Sequence, residues 1–483
     1  MPSSNTPKIL LSIPLDRCKN FLDTDIYRAL KERHPITIFS YLADRDDFQR
    51  TYGGPDVHFH KGVEISGRWR WFVYNLTEVL RHFGFLYRWR KSRTALYWHA
   101  ETKYRWLDPE EFRVKRRVRH LVFVILSFLE NRIHLRALLV RYLGWWIFEN
   151  AQLDEFFLRE EPTVYICTAH KTDQEKILSY YARRHKLKSI FVPDSVDNYY
   201  MNGSLFHEFD WFCIYGPKMR EHARELHGIE EHRLVKLGIP ANRLCEKLLR
   251  QGGSYKVRER LEIPSHVRII TYLSIWRLGY LDLLPTIDYL LESIESGRIR
   301  DAILVLRPSP WEDFTEILAR YGNRPSIRLQ LVQSNGQFDS GGTDYLFEYV
   351  ETLRQSSVVV MSATTGALLQ TCLLRVPAIA NLVELSEYPR EGFSPLALEK
   401  TDSFDLFKTG LPAAHSLEEL VWMINEYLEH REKDRDVWKR ILDEWDYQNE
   451  NYIEDFVGLI EGRVPASANA LQKEEEPGRK DLA

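Results

Sequence analysis

The chain has 483 residues, of which 44% are hydrophobic, and its formal net charge at pH 7 is -3. This length predicts two or three domains of ordinary size. The near-neutral charge excludes a whole-molecule electrostatic field of the kind that attracts nucleic acid, so we expect no nucleic-acid partner.

The cysteines give no disulfide framework and no metal-binding spacing. They are odd in number and far apart: Cys18, Cys167, Cys213, Cys245 and Cys372. This pattern indicates a reducing compartment. The first residues lack a signal-peptide pattern, and the most apolar run, residues 121–129, is shorter than the about 20 residues that span a bilayer. We therefore expect a cytoplasmic protein without a transmembrane helix.

Apolar runs alternate with helical patterns along most of the chain. The runs predict strands at residues 8–14, 35–42, 163–169, 189–194, 210–216, 234–240, 267–276, 302–310, 327–333, 356–363 and 376–382. Helical patterns separate most of them, which favours parallel sheets in an α/β protein. Thr172 and Glu175 have the spacing of a helix capping box. A single long helix is predicted over residues 417–445.

The alternation occurs twice, which predicts two Rossmann-like domains facing a cleft. We place the N-terminal domain at residues 1–250, with a helical insert at about 66–150. The C-terminal domain covers residues 251–463. The remaining residues, 464–483, are rich in charged residues and alanine and are expected to be disordered.

The insert is unusually basic and aromatic. Residues 66–120 contain 14 Lys and Arg against 5 Asp and Glu. Such a segment is typical of an anionic membrane surface or a lipid-linked substrate, where basic residues meet headgroups and Trp and Tyr prefer the interface. A solvated helical subdomain that packs on the core is an equal alternative. A single-stranded nucleic-acid platform fits the composition too, but the two-domain cleft argues against it.

Polar residues lie at or near the ends of three predicted strands of the second half. Two of these strands end in arginine and the third leads into a helix, and the residues are Arg277, Arg307, Ser362, Thr364, Thr365 and Gly366. Free N–H groups at a helix start and the arginine guanidinium groups favour a phosphate-bearing ligand. The alternative is an ordinary N-cap cluster with solvated arginines.

The stretch SATTGALLQTCLLRVPAI, residues 362–379, resembles the nucleotide-binding half of GT-B glycosyltransferases. In that group a strand ending in a Ser/Thr/Gly turn leads to a helix and then to a strand with a small residue and proline. Gln370 stands where many relatives carry an acidic residue for the donor ribose, and it is a departure from their pattern.

A second resemblance lies in residues 192–240. The order of short motifs is similar to that in GT-B enzymes of bacterial surface-polysaccharide clusters and the related CDP-glycerol glycerophosphotransferases. The motifs are Asp197-Asn198 with Gly203, Tyr215-Gly216, His227-Gly228 and Gly238-Ile239-Pro240. Together the two resemblances cover about residues 160–385.

The resemblance implies a metal-independent glycosyltransferase without a cofactor. Its donor would be a nucleotide sugar, bound by the C-terminal domain. Its acceptor would be a cell-surface glycan or a lipid-linked molecule, with the enzyme in the cytoplasm or peripherally at the inner face of the membrane. The alternatives are a polyol-phosphate transferase or a nucleotide-sugar epimerase of the same fold, or a catalytically inactive GT-B-like scaffold.

Three residues are candidates for the general base, each with a structural alternative. Asp197 could deprotonate an acceptor hydroxyl, or it could form an Asx turn. His170 could serve as the base or pack in the core. Asp16 lies in the N-terminal loop where GT-B enzymes often keep a base, or it is an ordinary loop residue. His58 and His60 have metal-like spacing without further ligands nearby, so we expect no metal site.

Overall fold

A computed structural model describes residues 6–13, 21–92, 125, 128–130, 132–170, 172–201, 205, 209–251, 256–274, 280–308, 314–331, 342–362, 366–383, 385, 406 and 408–463. These residues form two compact units. The first unit takes its described residues from the part of the chain before residue 242 and from 445–463, and the second unit takes its own from 242–444.

The first unit is built on a parallel sheet. Its strands are β1 Ile9–Ser12, β2 Ile36–Ser40, β3 Val57–Lys61, β4 Val164–Cys167, β5 Lys188–Phe191, β6 Trp211–Ile214 and β7 Leu234–Lys236. Their order is β3-β2-β1-β4-β5-β6-β7, and every pairing is parallel. The strand order reverses between β1 and β4, where crossovers leave in opposite directions. Ligands of open α/β sheets bind outside the carboxyl ends of strands at such a switch point.

Helices connect these strands. Those of the first half of the chain are α1 Asp25–Arg33, α2 Asp46–Tyr52, α3 Arg68–Ser92, α4 Leu135–Ile147, α5 Ala151–Glu160, α6 Asp173–Arg184, α7 Asn198–Met201, α8 Pro217–His227 and α9 Pro240–Gln251, with a 3-10 turn at Glu231–Arg233. The capping box predicted at Thr172 and Glu175 is present at the start of α6. It satisfies backbone donors that the first helical turn would otherwise leave free.

The second unit has a parallel sheet of the same design. Its strands are β8 Arg268–Leu273, β9 Ala302–Arg307, β10 Ile327–Leu329, β11 Val358–Met361, β12 Ala378–Asn381 and β13 Ala413–Ala414. Their order is β10-β9-β8-β11-β12-β13, so the switch point lies between β8 and β11. The helices of the rest of the chain are α10 Val257–Arg260, α11 Tyr280–Glu295, α12 Phe314–Tyr321, α13 Gly342–Gln355, α14 Gly366–Leu373, α15 Leu417–Glu429, α16 Arg435–Trp445 and α17 Tyr452–Ile460.

The strand predictions are confirmed because central parallel strands are buried on both faces. All four residues of β4, Val-Tyr-Ile-Cys, are buried, and so are all four of β11. A strand of this kind needs an unbroken apolar run, which is the pattern that the sequence shows. The short edge strand β13 has no such run and was not predicted.

The prediction of a single helix over residues 417–445 is wrong. The chain leaves the helical conformation at His430 and begins α16 at Arg435. The Tyr427 hydroxyl donates a hydrogen bond to the Asp434 carboxylate across the break. The redirected α16 buries Trp438, which is 1% exposed. Burying a large aromatic side chain outweighs the few helical hydrogen bonds lost at the turn.

The C-terminal segment 445–463 belongs to the first unit, whereas the sequence-based boundary assigned it to the C-terminal domain. The Phe456 ring of α17 lies 6.1 Å from the Phe21 ring, edge to face. Lys188 Nζ of β5 donates a hydrogen bond of 2.8 Å to the Leu459 carbonyl oxygen. The expected disordered tail, 464–483, lies outside the described residues.

The insert between β3 and β4 is helical in its described part, as predicted. Helices α3 and α4 pack against each other, and Arg70 of α3 pairs with the Glu149 carboxylate just after α4. Residues 93–124, which contain most of the Lys and Arg of the basic segment 66–120, lie outside the described residues. No described helix combines the length and the apolarity that crossing a membrane requires.

Candidate functional site

The switch point of the second unit collects the polar strand ends that the sequence singled out. Arg307 is the last residue of β9 and pairs in register with Leu273 of β8, which pairs in turn with Met361 of β11. The Ser274 N–H donates to the Arg307 carbonyl oxygen at 3.3 Å, and the Ser362 N–H donates to the Leu273 carbonyl oxygen at 3.0 Å. The sheet therefore brings Arg307, Ser274 and Ser362 to one carboxyl edge.

Arg307 is held in place by an aromatic ring. The side chain is 5% exposed, and its guanidinium carbon lies 5.0 Å from the centre of the Tyr349 ring on α13. A cation over an aromatic face is attracted by the ring quadrupole. This contact orders a fork of N–H donors at the sheet edge, which suits a planar or phosphate anion.

Helix α14 starts at the same edge with open space in front of it. A Cβ added to Gly366 would meet no described atom within 4 Å. Gln370 lies one turn further along, half-buried, and a spacing of four residues places it on the same helix face as Gly366. Of the remaining predicted ligands, Arg277, Thr364 and Thr365 lie outside the described residues.

The switch point of the first unit is filled by a buried hydrogen-bond network. Thr168 Oγ1, just after β4, donates to the Ser12 carbonyl oxygen of β1 at 2.9 Å. Ser12 Oγ donates to Glu175 Oε1 at 3.0 Å and accepts from Gln174 Nε2 at 2.9 Å. Burial raises the pKa of Glu175, against the hydrogen bonds from Thr172 and Ser12 that lower it. These groups bond one another and anchor α6 to the sheet.

His170 follows β4 and lies in the interior of the first unit. It is 2% exposed, and its ring stands edge-on to the Phe191 ring of β5 at 5.5 Å. On another side of Phe191 lies the Tyr199 ring, at 5.7 Å. His170 and Tyr199, the residue that follows the Asp197–Asn198 segment, therefore share Phe191 as a neighbour. The role of His170 as a base stays a prediction, and Asp16 lies outside the described residues.

Asp197 sits in the turn between β5 and α7 and is half-buried. Its Oδ1 is enclosed by protein and receives no hydrogen bond from the described residues. The neighbouring turn is closed by the backbone instead, with the Asn198 N–H donating to the Ser195 carbonyl oxygen at 3.2 Å. The Asx turn that competed with a catalytic role is therefore not formed by the Asp197 side chain among the described residues.

Sequence reasoning missed Asp194, which lies in the loop just after β5. It is 4% exposed, and its Oδ1 accepts a hydrogen bond from Asn198 Nδ2. Asn198 itself is fully buried, and its Oδ1 has no partner among the described residues. An aspartate shortly after a strand is the signal that could have identified it, because the carboxyl ends of parallel strands share one edge of the sheet.

The motif residues downstream of Asp197 hold the segment around Asp197 in place through hydrogen bonds. The Tyr215 hydroxyl donates to the Pro193 carbonyl oxygen, and the Tyr199 hydroxyl donates to the Cys213 carbonyl oxygen at 3.0 Å. His227 Nε2 lies 2.6 Å from the Tyr199 carbonyl oxygen. Residues that are separated in sequence thus converge on one turn.

Two of the motif glycines, Gly216 and Gly238, face the C-terminal segment. A Cβ on Gly216 would lie 2.6 Å from the Trp445 Cα and nearer still to its carbonyl group. Gly238 has a φ of +75°, and the next residue, Ile239, donates its N–H to Asp446 Oδ1 at 2.8 Å. Only glycine tolerates such a close backbone approach. The Tyr-Gly and Gly-Ile-Pro motifs therefore have structural roles.

The histidines with metal-like spacing belong to a strand rather than to a polar cluster. The His60 ring stacks on the Phe39 ring at 5.0 Å and meets the Phe156 ring edge-on at 5.1 Å. Burial lowers the pKa of His60. This environment is typical of a packed aromatic side chain.

The comparisons with known proteins identify the fold. No protein-family profile and no curated protein sequence matches the chain. A putative UDP-N-acetylglucosamine 2-epimerase from Listeria monocytogenes is similar in structure, with a TM-score of 0.52, 11% identity, and coverage of 95% of this chain and 96% of that one. The S. aureus MnaA–UDP structure gives a TM-score of 0.53 at 10% identity, with 94% and 96% covered.

A structure of the wall teichoic acid polymerase TagF gives a TM-score of 0.49 at 11% identity and covers 97% of this chain and 90% of that one. The two neighbours above 0.5 match nearly the whole chain, and both sheets have the strand order of a Rossmann-like domain. The expected fold class is therefore confirmed: this chain has the GT-B fold, with two Rossmann-like domains and a helical insert in the first of them.

Proposed function

We propose that the protein is a glycosyltransferase that moves a sugar from a nucleotide-sugar donor to a cell-surface glycan or lipid-linked acceptor. The observation that carries this proposal is the carboxyl edge of the second sheet, where Arg307, Ser362 and the open start of α14 at Gly366 lie together. Such an edge suits the diphosphate of a nucleotide sugar. The similar MnaA structure contains UDP, which supports the same class of ligand.

Departure of the nucleoside diphosphate creates negative charge that the second unit can stabilise. The Arg307 guanidinium supplies charge and paired N–H donors, and the first N–H groups of α14 add the positive end of the helix dipole. Fixed donors aimed at a developing charge are a large source of catalysis. This arrangement needs no metal ion for the leaving group.

Asp197 is our candidate for the general base on the acceptor. In the proposed step its carboxylate takes the proton of an acceptor hydroxyl, whose oxygen forms a bond to the anomeric carbon of the sugar. The bond between that carbon and the diphosphate oxygen breaks, and the electron pair leaves with the nucleoside diphosphate. Asp197 Oδ1 has no hydrogen-bond partner among the described residues, which supports Asp197 as the base, while His170 and Asp16 stay as alternative bases.

A nucleotide-sugar epimerase is the second candidate, because the similar Listeria protein is described as a putative UDP-N-acetylglucosamine 2-epimerase. The two reactions differ in what becomes of the donor. A transferase consumes the donor only when an acceptor is present and releases nucleoside diphosphate. An epimerase converts the nucleotide sugar into its isomer without any acceptor.

A thermal-shift screen of nucleoside diphosphates and their sugars first identifies the donor. Chromatography of the reaction products, with and without glycan or lipid-linked acceptors, then identifies the reaction. Acceptor-dependent release of nucleoside diphosphate supports the proposal. Isomerisation of the nucleotide sugar establishes the epimerase, and release of a nucleoside monophosphate from a polyol donor establishes a polyol-phosphate transferase. Binding without turnover on any acceptor identifies an inactive scaffold.

The base is tested separately by Asp197→Asn, which keeps the side-chain shape and removes the proton acceptor. We expect kcat to fall by about 10²- to 10⁴-fold with donor affinity unchanged. Asp436→Asn, at an exposed position on α16, is the matched control and should leave kcat unaltered. Full activity in the Asp197 variant would exclude it as the base.

A further inference from the structure

Two insert helices bind the first unit through one side. On α3, the side chains of Tyr74, Thr77 and Leu80 are buried. The Tyr74 hydroxyl donates to Asp173 Oδ1 at 2.6 Å and accepts from Lys176 Nζ at 2.7 Å, which attaches α3 to the first turn of α6. This side of the helix pair faces the protein interior.

The outer face, which we define by the exposed side chains of α3 and α4, is dominated by large aromatic residues. The exposed fractions are 72% for Trp69, 56% for Trp71, 57% for Phe72, 64% for Tyr142 and 60% for Trp145. Isolated exposed aromatics are common on proteins, but a group of five on two neighbouring helices marks an interaction surface.

The charges of these helices are almost all of one sign. The sequence of α3 contains six Lys and Arg and a single acidic residue, Glu78, and that of α4 contains two Arg and no acidic residue. Glu78 is turned inward, where its Oε2 lies 2.6 Å from Lys176 Nζ and 2.8 Å from Arg81 Nη2. The outer face therefore carries exposed cations, among them Arg68 and Arg141, without a carboxylate from either helix.

The exposed aromatic residues and the excess of positive charge together indicate which kind of partner fits this face. A second copy of the same cationic face would be repelled. An anionic lipid surface matches both properties, since arginines meet the headgroup phosphates and tryptophan and tyrosine rings prefer the headgroup level. We propose that the outer face of α3 and α4 docks the protein onto an anionic membrane surface. The proposal rests on this face alone and does not depend on which reaction the enzyme catalyses.

The test is co-sedimentation of the full chain with vesicles. Vesicles of phosphatidylcholine mixed with phosphatidylglycerol are compared with pure phosphatidylcholine at about 0.1 M and about 1 M salt, because the Debye length falls from about 10 Å to about 3 Å over that range. We expect binding to the anionic vesicles at low salt, release at high salt, and little binding to the neutral ones. No binding at low salt, or equal binding to both vesicles, overturns the proposal.

Variants assign the binding to the outer face. Each arginine near a lipid surface is worth about 1 kcal/mol, or roughly fivefold in affinity, so Arg68→Ala with Arg141→Ala should weaken binding about 25-fold. Trp69→Ala with Trp145→Ala should also weaken it. All four positions are exposed. An unchanged thermal unfolding midpoint verifies that each variant is folded.

The matched controls lie in the second unit. Trp422 is 57% exposed and Arg431 is exposed, so Trp422→Ala and Arg431→Ala remove the same side-chain types elsewhere and should leave vesicle binding intact. If the control pair weakens binding as much as the outer-face variants do, the proposal is wrong. Binding of single-stranded RNA that depends on the outer face, in a protein that ignores anionic vesicles, would assign the face to nucleic acid and overturn it as well.

Discussion

Gly216 lies against the backbone of Trp445, so that a Cβ on the glycine would come within 2.6 Å of the tryptophan Cα. The glycine precedes α8, and the tryptophan ends α16. The Tyr447 N–H, two residues on, bonds the carbonyl oxygen of Tyr215. The contact locks the C-terminal segment onto the loop that supports Asp194 and Asp197.

Replacing Gly216 by alanine should therefore destabilise the first unit. The added methyl group meets backbone atoms that cannot rotate away, and overpacking of this kind costs about 2–3 kcal/mol. Chemical denaturation measures the loss. Gly366→Ala is the control, because an added Cβ there meets no described atom within 4 Å. Equal stability of the two alanine variants would contradict the close approach.

Arg307→Ala should weaken nucleoside diphosphate binding by about 1.5–3 kcal/mol, the range of a hydrogen bond to a charged group. Isothermal titration calorimetry gives the dissociation constant. Arg307→Lys keeps the charge but loses the planar fork of N–H donors, so its affinity should fall between those of the wild type and Arg307→Ala. Arg300→Ala, at an exposed position in the same unit, is the control. Unchanged affinity in Arg307→Ala would remove this residue from the donor site.

Gly366→Val should abolish nucleotide binding in a folded protein. The backbone there has room for a side chain, so the fold tolerates the substitution, but the isopropyl group occupies the space that a phosphate needs at the start of α14. Circular dichroism checks the fold, and calorimetry measures binding. Gly366→Ala adds only a methyl group and should weaken nucleotide binding less than Gly366→Val does. A valine variant that binds normally would place the phosphate elsewhere.

Glu78 makes stability depend on pH in the acid range. Burial alone would raise its pKa, but Arg81 and Lys176 outweigh burial and lower the pKa to about 2. The folded pKa lies below the ordinary value of 4.5, so the contribution is present above pH 4.5 and is lost as the pH falls towards about 2. Urea denaturation at a series of pH values should show this decline.

Glu78→Gln should cost about 3 kcal/mol at pH 7, because Lys176 and Arg81 lose the charge that compensates them in a buried site. The variant should also show a weaker decline below pH 4.5 than the wild type. Asp443→Asn breaks the exposed pair with Lys439 and should leave the stability curve nearly unchanged. Parallel pH profiles of wild type and Glu78→Gln would show that Glu78 does not titrate as described.

The positions of the strands were accessible from the sequence because buried parallel strands leave a strong local signal. The run Val-Tyr-Ile-Cys of β4 can be satisfied only by burial on both faces. The break at His430 was not accessible, since the residues that cause it, Tyr427 and Trp438, act across space. Short polar stretches on a helix surface look the same whether the helix continues or turns.

The candidate site was accessible in part. Arg307 and Ser362 could be named because strand ends of a parallel sheet share one edge, and the structure places both there. Asp194 escaped notice, and the meaning of Tyr215 and His227 could not be derived, because their contacts join distant parts of the chain. The family resemblance of the motif order indicated that these residues belong together, and only the fold shows that they hold one turn in place.

The return of residues 445–463 to the first unit has a consequence for synthesis on the ribosome. The second unit, residues 242–444, emerges as one uninterrupted stretch and has its whole sheet available for folding. The first unit begins earlier but lacks α17 and the Trp445 backbone until translation has passed residue 460. Domains usually complete folding in the order in which they are made. Here the half that is synthesised first is completed last.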